Sequence, residues 1–223
     1  MLLCIGSILK EPQLALLKKK LAKQSFLDGK DTAGWAVKNI KRNEQLSKKA
    51  TTYADIQQML LAALLSHEVF TLAAMPQKVS PLLISRYSKG MGYGTHVDNA
   101  LMGEGEKMRS DISFTLFLSD PADYEGGELV LEDFSGEQPY KLPAGSVILY
   151  PSTMLHRVET VTLGERLVAV GWIQSHIRSS EKRQIIFDLE SVKRDIFQAS
   201  GKTAQFDTIA KTASNLWRLW AET

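Results

Sequence analysis

The sequence predicts an α+β fold: a double-stranded β-helix, or jelly roll, with N-terminal helices packed on it and a C-terminal helical tail. Three observations carry that expectation. Eight short β-rich runs, punctuated by Gly and Pro, crowd between Lys78 and Gln174. Helical periodicity flanks them on both sides. A chain of 223 residues with 44% hydrophobic content suits one large core better than two independent domains. The expected organisation is an N-terminal region over 1–77, the jelly roll over 78–178 and a helical extension over 179–223.

Taken in order, Leu2–Leu9 is a short apolar run that reads as a strand. Pro12 opens a helix whose Leu14, Leu17 and Leu21 share one face, with Lys18, Lys19 and Lys20 solvated. Gly29–Gly34 is turn-like, and Trp35–Ile40 reads as another strand. Asp55 caps a long helix carrying Ile56, Met59, Leu60, Ala63, Leu64 and Phe70, which stops before Pro76. His67, beside that stripe, reads as a packing or surface residue.

The β-rich runs are Leu82–Tyr87, Gly94–Asp98, Ile112–Leu118, Glu128–Glu132, Tyr140–Leu142, Ser146–Tyr150, His156–Val161 and Arg166–Gln174. Ile112–Leu118 alternates as a half-buried strand does. After Ser179, Ile185, Leu189, Val192 and Ile196 keep one helical face, and Gly201 ends it. Asp207 is the expected cap of a last helix with Ile209, Ala213, Leu216 and Trp220 on one side and Trp217 off it. Two tryptophans so near the end imply a docked tail. Its partner is either the core or a second copy, which would make a homo-oligomer through the C-terminal helices.

A formal charge of +2 gives no reason to expect nucleic acid or an anionic membrane as partner. The apolar run Met59–Leu65 is too short to span a bilayer. Cys4 is the only cysteine, so no internal disulfide forms. Neither a positive region nor an apolar stretch precedes it, which speaks against a signal peptide. The expected location is cytoplasmic.

The chemistry concentrates in His96, Asp98, His156 and Arg166. His96 and Asp98, two apart in a β run, share a face and can chelate one ion. His156 starts a later run, where a jelly roll returns its seventh strand beside its second; His176 competes with it for the third ligand position. Two imidazoles and one carboxylate cover one face of an octahedral metal and leave three positions open, as in non-haem Fe(II) oxygenases. Arg166 opens a strongly apolar strand, where a guanidinium is costly to bury unless an anion meets it. Its planar fork suits a carboxylate, either that of a ligand or that of a neighbour such as Glu165.

These residues sit in a longer shared text: Arg86-Tyr87, His96-Val-Asp98-Asn99, Tyr124-Glu-Gly126-Gly127, Pro143-Ala-Gly145, Leu155-His156-Arg-Val and Gly164-Glu-Arg166. The segment from about Ser80 to Gln174 resembles the Fe(II)/2-oxoglutarate-dependent dioxygenases of the prolyl 4-hydroxylase-like branch. With its flanks, nearly the whole chain resembles the bacterial PKHD-type hydroxylases. The resemblance implies that His96, Asp98 and His156 bind Fe(II). It implies that Arg166 holds the distal carboxylate of 2-oxoglutarate, with the Tyr87 hydroxyl as second donor. Trp172 and Phe117 would wall the pocket, and Asn99 would orient Asp98 or touch substrate. Dioxygen is the other cosubstrate, succinate and CO2 are the products, and L-ascorbate would keep the iron ferrous.

Asp98 argues against a halogenase, which lacks that carboxylate. The substrate, a metabolite such as a siderophore in view of the family's iron-uptake associations or a protein side chain, stays open. The loop from Asn99 to Arg109 would rim the entrance as a lid or as plain surface. Two rival readings also stay open: a cupin-like metal enzyme without 2-oxoglutarate, and a non-catalytic iron-sensing or partner-binding jelly roll.

Overall fold

Two antiparallel sheets face each other around a cavity in the computed structural model, which describes residues 1–32, 34–103 and 105–222. The chain begins with β1 (Leu3–Ile5) and α1 (Glu11–Leu21). Pro12 sits in the first turn of α1, and Leu14, Leu17 and Leu21 are its buried face. Its three lysines occupy the last turn, where they favour the negative end of the helix dipole.

Next come β2 (Phe26–Asp28), β3 (Lys41–Arg42) and β4 (Glu44–Leu46). No strand forms over Trp35–Ile40. The backbone bonds from Val37 to Gly34 and from Ile40 to Val37 close successive turns instead. Trp35 is left 94% exposed, so its aromatic bulk does not signal a strand here.

The expected long helix is two, α2 (Tyr53–Ser66) and α3 (Glu68–Ala74), bent by 82°. His67 is extended at the break, with φ −83° and ψ 114°. The bend brings Phe70 of the second helix edge-on to Phe114, at 5.8 Å between ring centres. Thr52, not Asp55, precedes the first turn; Asp55 pairs with Lys20 at 3.0 Å. No single described helix is long and apolar enough to cross a membrane, although the bent pair together reaches that length and composition.

The remaining strands are β5 (Pro76–Val79), β6 (Leu83–Tyr87), β7 (Gly92–His96), β8 (Leu101–Met102), β9 (Met108–Arg109), β10 (Ile112–Phe117), β11 (Tyr124–Glu125), β12 (Leu129–Asp133), β13 (Gly136–Tyr140), β14 (Val147–Pro151), β15 (His156–Val158), β16 (Leu163–Gly164) and β17 (Arg166–Ser175). The large sheet runs β1-β14-β10-β17-β6-β4-β2, with β5 also on β17; the small sheet runs β13-β12-β15-β7-β3. Seven of the eight expected β runs coincide with strands of these two sheets, which together form the jelly-roll core; of Tyr140–Leu142 only Tyr140 is extended, as the last residue of β13. The N-terminal region adds more than helices, because β1, β2 and β4 extend the large sheet and β3 extends the small one.

β10 is buried at every residue, not half-buried as its alternation suggests. Both of its faces are covered. Ile112, Phe114 and Leu116 join the core shared with α1, α2 and α3, whereas Ser113 and Thr115 face the cavity between the sheets. The alternation therefore separates a dry face from a polar functional one, not core from solvent.

The tail is α4 (Ser180–Ser200) and α5 (Ala204–Trp220). Gly201, at φ +68°, ends the first of them. Thr203 rather than Asp207 caps the second, its hydroxyl accepting from the Phe206 N–H at 3.2 Å. Trp217 and Trp220 both dock on Met75, Ile177 and Ile186 of the same chain. Trp217 was expected off the packing face and is on it, beside His176.

Candidate active site

β7 and β15 are neighbours in the small sheet, and their register sets His96 directly opposite His156. Asp98 follows two residues after His96, just past the strand end. One ligand atom from each of the three lies within 4.8 Å of the others, so small rotations bring them onto a single ion. The Asp98 Oδ2 is 3.7 Å from His156 Nε2. His176 is remote from this group, at the tail contact near Glu222.

The imidazoles are pre-set for metal. His96 Nδ1 is 2.8 Å from the Gly94 carbonyl and His156 Nδ1 is 3.1 Å from the Met154 carbonyl. A carbonyl only accepts, so each Nδ1 carries the proton and each Nε2 presents a lone pair. Burial, and then the neighbouring His156, hold the His96 imidazole down to about 4. At neutral pH it is uncharged, the form that ligates. Tyr93 stacks on its ring at 3.8 Å and fixes its plane.

Asp98 is oriented by Ser113, whose hydroxyl donates to Oδ2 at 2.6 Å and stands 2.8 Å from the Ser152 hydroxyl. Asn99 does not take that role: it lines the cavity, and its backbone carbonyl accepts from Ser110. Ser113, Ser152 and Tyr93 were not singled out from the sequence. Ser113 was legible in principle, as a hydroxyl on the polar alternate positions of an otherwise apolar strand.

Arg166 opens β17 opposite Tyr87 of β6. It is 1% exposed and the largest fully buried side chain of the protein. Its guanidinium lies over the rings of Tyr87, at 5.0 Å, and Phe117, at 5.7 Å. Its Nε has no hydrogen-bond partner among the described residues, and the buried Tyr124 hydroxyl lies beside the guanidinium. Glu165, the neighbour that could have neutralised it, turns instead towards Arg86 at 3.7 Å. A buried cation with no anion among the described residues is costly. An incoming carboxylate would offset that cost.

His96, Asp98, His156, Arg166 and Tyr87 all line one cavity of about 850 Å³, mouth included. Trp172 lines it too, with a buried indole N–H that has no partner. Phe117 does not reach the cavity and instead supports Arg166 from behind. The loop after the ligands is a small ribbon, with Leu101 facing Arg109 and Met102 facing Met108. Glu104 of that loop lies outside the described residues. The ribbon is tied down by Arg109, which bonds Asp111 at 2.7 Å and Glu222 at 2.8 Å.

The paired glycines have a steric cause. Gly127, at φ +68°, leaves room for Arg166: a Cβ there would stand 3.1 Å from Arg166 Cδ and 2.9 Å from Val161 Cγ2. Gly127→Ala is expected to cost about 1–3 kcal/mol through strain and overpacking, read as a lowered midpoint of thermal unfolding.

Comparison with known proteins agrees with this geometry. Residues 82–174 match the sequence profile of the 2OG-Fe(II) oxygenase superfamily. Over full length, a PKHD-type hydroxylase of Picosynechococcus sp. is 52% identical across 98% of both chains. One from Acaryochloris marina is 51% identical across 100% of both. The chain belongs to the PKHD-type hydroxylases of that superfamily, and is a 2-oxoglutarate-dependent dioxygenase. Solved structures share the fold at low identity. HygX from Streptomyces hygroscopicus, with nickel and 2-oxoglutarate bound, has a TM-score of 0.57 at 12% identity, covering 79% of this chain and 84% of its own. A prolyl hydroxylase from Trichoplax adhaerens, in complex with a hypoxia inducible factor peptide fragment, has a TM-score of 0.54 at 13% identity, covering 83% and 86%.

Proposed function

We propose that His96, Asp98 and His156 hold ferrous iron and that Arg166, with Tyr87, seats the distal carboxylate of 2-oxoglutarate, so that the protein hydroxylates a C–H bond of its substrate. The observation that carries this reading is the pairing, in one cavity, of a cluster of three metal-ligating side chains with a buried guanidinium that has no anion among the described residues. The donor set fits iron: two imidazoles and a carboxylate leave three coordination positions open. When bound, the iron supplies the dioxygen chemistry that converts 2-oxoglutarate to succinate and CO2 while one oxygen atom enters the substrate as hydroxyl.

The chain's own groups set the stage for that reaction. Gly94 and Met154 carbonyls hold both imidazoles with Nε2 inward. Ser113 holds Asp98 at one oxygen. Arg166 meets a dianion by its far end and so fixes the orientation of the near end.

A link to iron uptake and a role for ascorbate as reductant are proposed on the family resemblance. Self-association through the C-terminal helices is proposed on the exposure of Ile185, Val192 and Phe197 after the tail has docked.

The test is spectroscopic and chemical. Anaerobic protein loaded with Fe(II) should develop a visible charge-transfer band on addition of 2-oxoglutarate, and should release succinate once oxygen is admitted. A metal-loaded protein with neither response overturns the assignment and favours a metal enzyme that does not use 2-oxoglutarate.

A further inference from the structure

The ribbon that crosses from the small sheet to the large one has a polar inner face. Lys41 in β3, Asn43 between the strands and Gln45 in β4 are 4%, 4% and 7% exposed, and all three line the cavity. The intervening Arg42 is exposed, and Glu44 turns away to bond Arg86 at 2.9 Å. This is ordinary strand alternation, but with Lys, Asn and Gln where a structural strand would bury apolar side chains.

Such a face is unfavourable unless its groups find partners. Lys41 Nζ donates to Thr32 Oγ1 at 2.7 Å, its one hydrogen bond among the described residues, although an ammonium offers three donors. Gln45 Oε1 accepts from the same Thr32 hydroxyl at 3.0 Å, and Asn43 Oδ1 packs against Gly29. Burial holds Lys41 down to about 8, with Asp98 and then Asp28 opposing, so the ammonium form prevails at neutral pH. The cavity thus holds two buried cations on different sheets. Arg166 is opposite Tyr87 in the large sheet; Lys41 is opposite Tyr93, three residues before His96, in the small one. The first has a use in the reading above. The second does not.

Resting on that reading of the iron and 2-oxoglutarate sites, we propose that the hydroxylated molecule carries an oxyanion, carboxylate or phosphate, that pairs with Lys41. The N-terminal ribbon then selects substrate, and the jelly-roll strands hold the metal and the cosubstrate. Thr32 keeps the Lys41 side chain extended into the cavity until the anion arrives.

The experiment uses full-length protein loaded with Fe(II) and saturated with 2-oxoglutarate under argon. It is titrated with acetate, methyl phosphate and, as the neutral comparator, acetamide. The readouts are perturbation of the charge-transfer band and the thermal midpoint. At least one oxyanion should bind saturably and about tenfold or more tighter than acetamide, as a buried charge pair requires. Which of the two binds tighter identifies the source of the charge.

Lys41→Met should weaken that binding by about tenfold or more, Lys41→Arg should retain most of it, and 2-oxoglutarate affinity should stay within about twofold in both. Equal oxyanion binding by Lys41→Met, or no saturable binding by the parent, overturns the proposal. So does a loss of 2-oxoglutarate affinity in Lys41→Met, which would place Lys41 in the cosubstrate site. If Lys41→Met fails to fold by circular dichroism, Lys41→Gln takes its place with the same expected loss, and equal oxyanion binding by it overturns the proposal. Absence of any charge-transfer band before the probes are added counts against the iron and 2-oxoglutarate reading instead.

Discussion

Protein carrying His96→Ala, reconstituted with Fe(II), is expected to lose 2-oxoglutarate-dependent succinate release by more than about 100-fold. The size follows from the place proposed for His96 in the site. Even groups that only hydrogen-bond a ligating histidine are worth about 10–100-fold in metal affinity or activity. His96 would supply a ligand atom itself, and Asp98 and His156 alone leave a two-point chelate. The charge-transfer band formed with 2-oxoglutarate should disappear in parallel, which separates loss of metal from a slowed chemical step. His176→Ala is the control. That imidazole lies at the tail contact with Trp217, at 6.2 Å between ring centres, and its replacement should leave the band and the turnover intact. Turnover of His96→Ala at the parent rate would sink the metal assignment.

The site was legible in the sequence to the extent that strand geometry alone determines it. His96 and Asp98 share a face because side chains alternate along an extended chain, and His156 meets them because β15 lies beside β7. A buried arginine at the head of an apolar strand likewise announces a demand for an anion. What stayed hidden depends on contacts between distant segments. Ser113 reaches Asp98 only because β10 of one sheet faces the end of β7 in the other.

The ribbon of Lys41, Asn43 and Gln45 was invisible for a related reason. Three polar residues at alternate positions read as solvated until the fold shows that they point inward. Misplaced elements have equally local causes. Trp35–Ile40 has the composition of a strand, yet successive i to i+3 backbone bonds curl it into turns. The long apolar helix breaks at His67 because only a bend lets Phe70, Ala73 and Ala74 bury in the same core as Ile56, Leu60 and Leu64. Periodicity reports which residues are buried within a helix, not the angle between two helices that share a core.

Replacing Arg166 with leucine should leave the stability of the ligand-free protein steady or raised while 2-oxoglutarate affinity collapses. Without ligand, Arg166 is 1% exposed and its guanidinium meets no anion among the described residues, so the folded protein bears a desolvation penalty of about several kcal/mol. Its contacts with the Tyr87 and Phe117 rings return about 0.5–2 kcal/mol each. The penalty is the larger quantity, so Arg166→Leu should leave the thermal midpoint of the ligand-free protein unchanged or raise it. Binding of 2-oxoglutarate should show the reverse. Removing one partner of a buried charge pair costs about 3–5 kcal/mol, which corresponds to about 100- to 1,000-fold or more in the dissociation constant.

Titration of the charge-transfer band against 2-oxoglutarate reads that loss directly, without requiring turnover. The pattern discriminates between roles. A structural arginine would give a lowered midpoint with cosubstrate affinity nearly intact, whereas a cosubstrate anchor gives a steady or raised midpoint with affinity collapsed. The sign of the stability change therefore tests whether the fold bears an unpaired buried charge in order to have it available for 2-oxoglutarate.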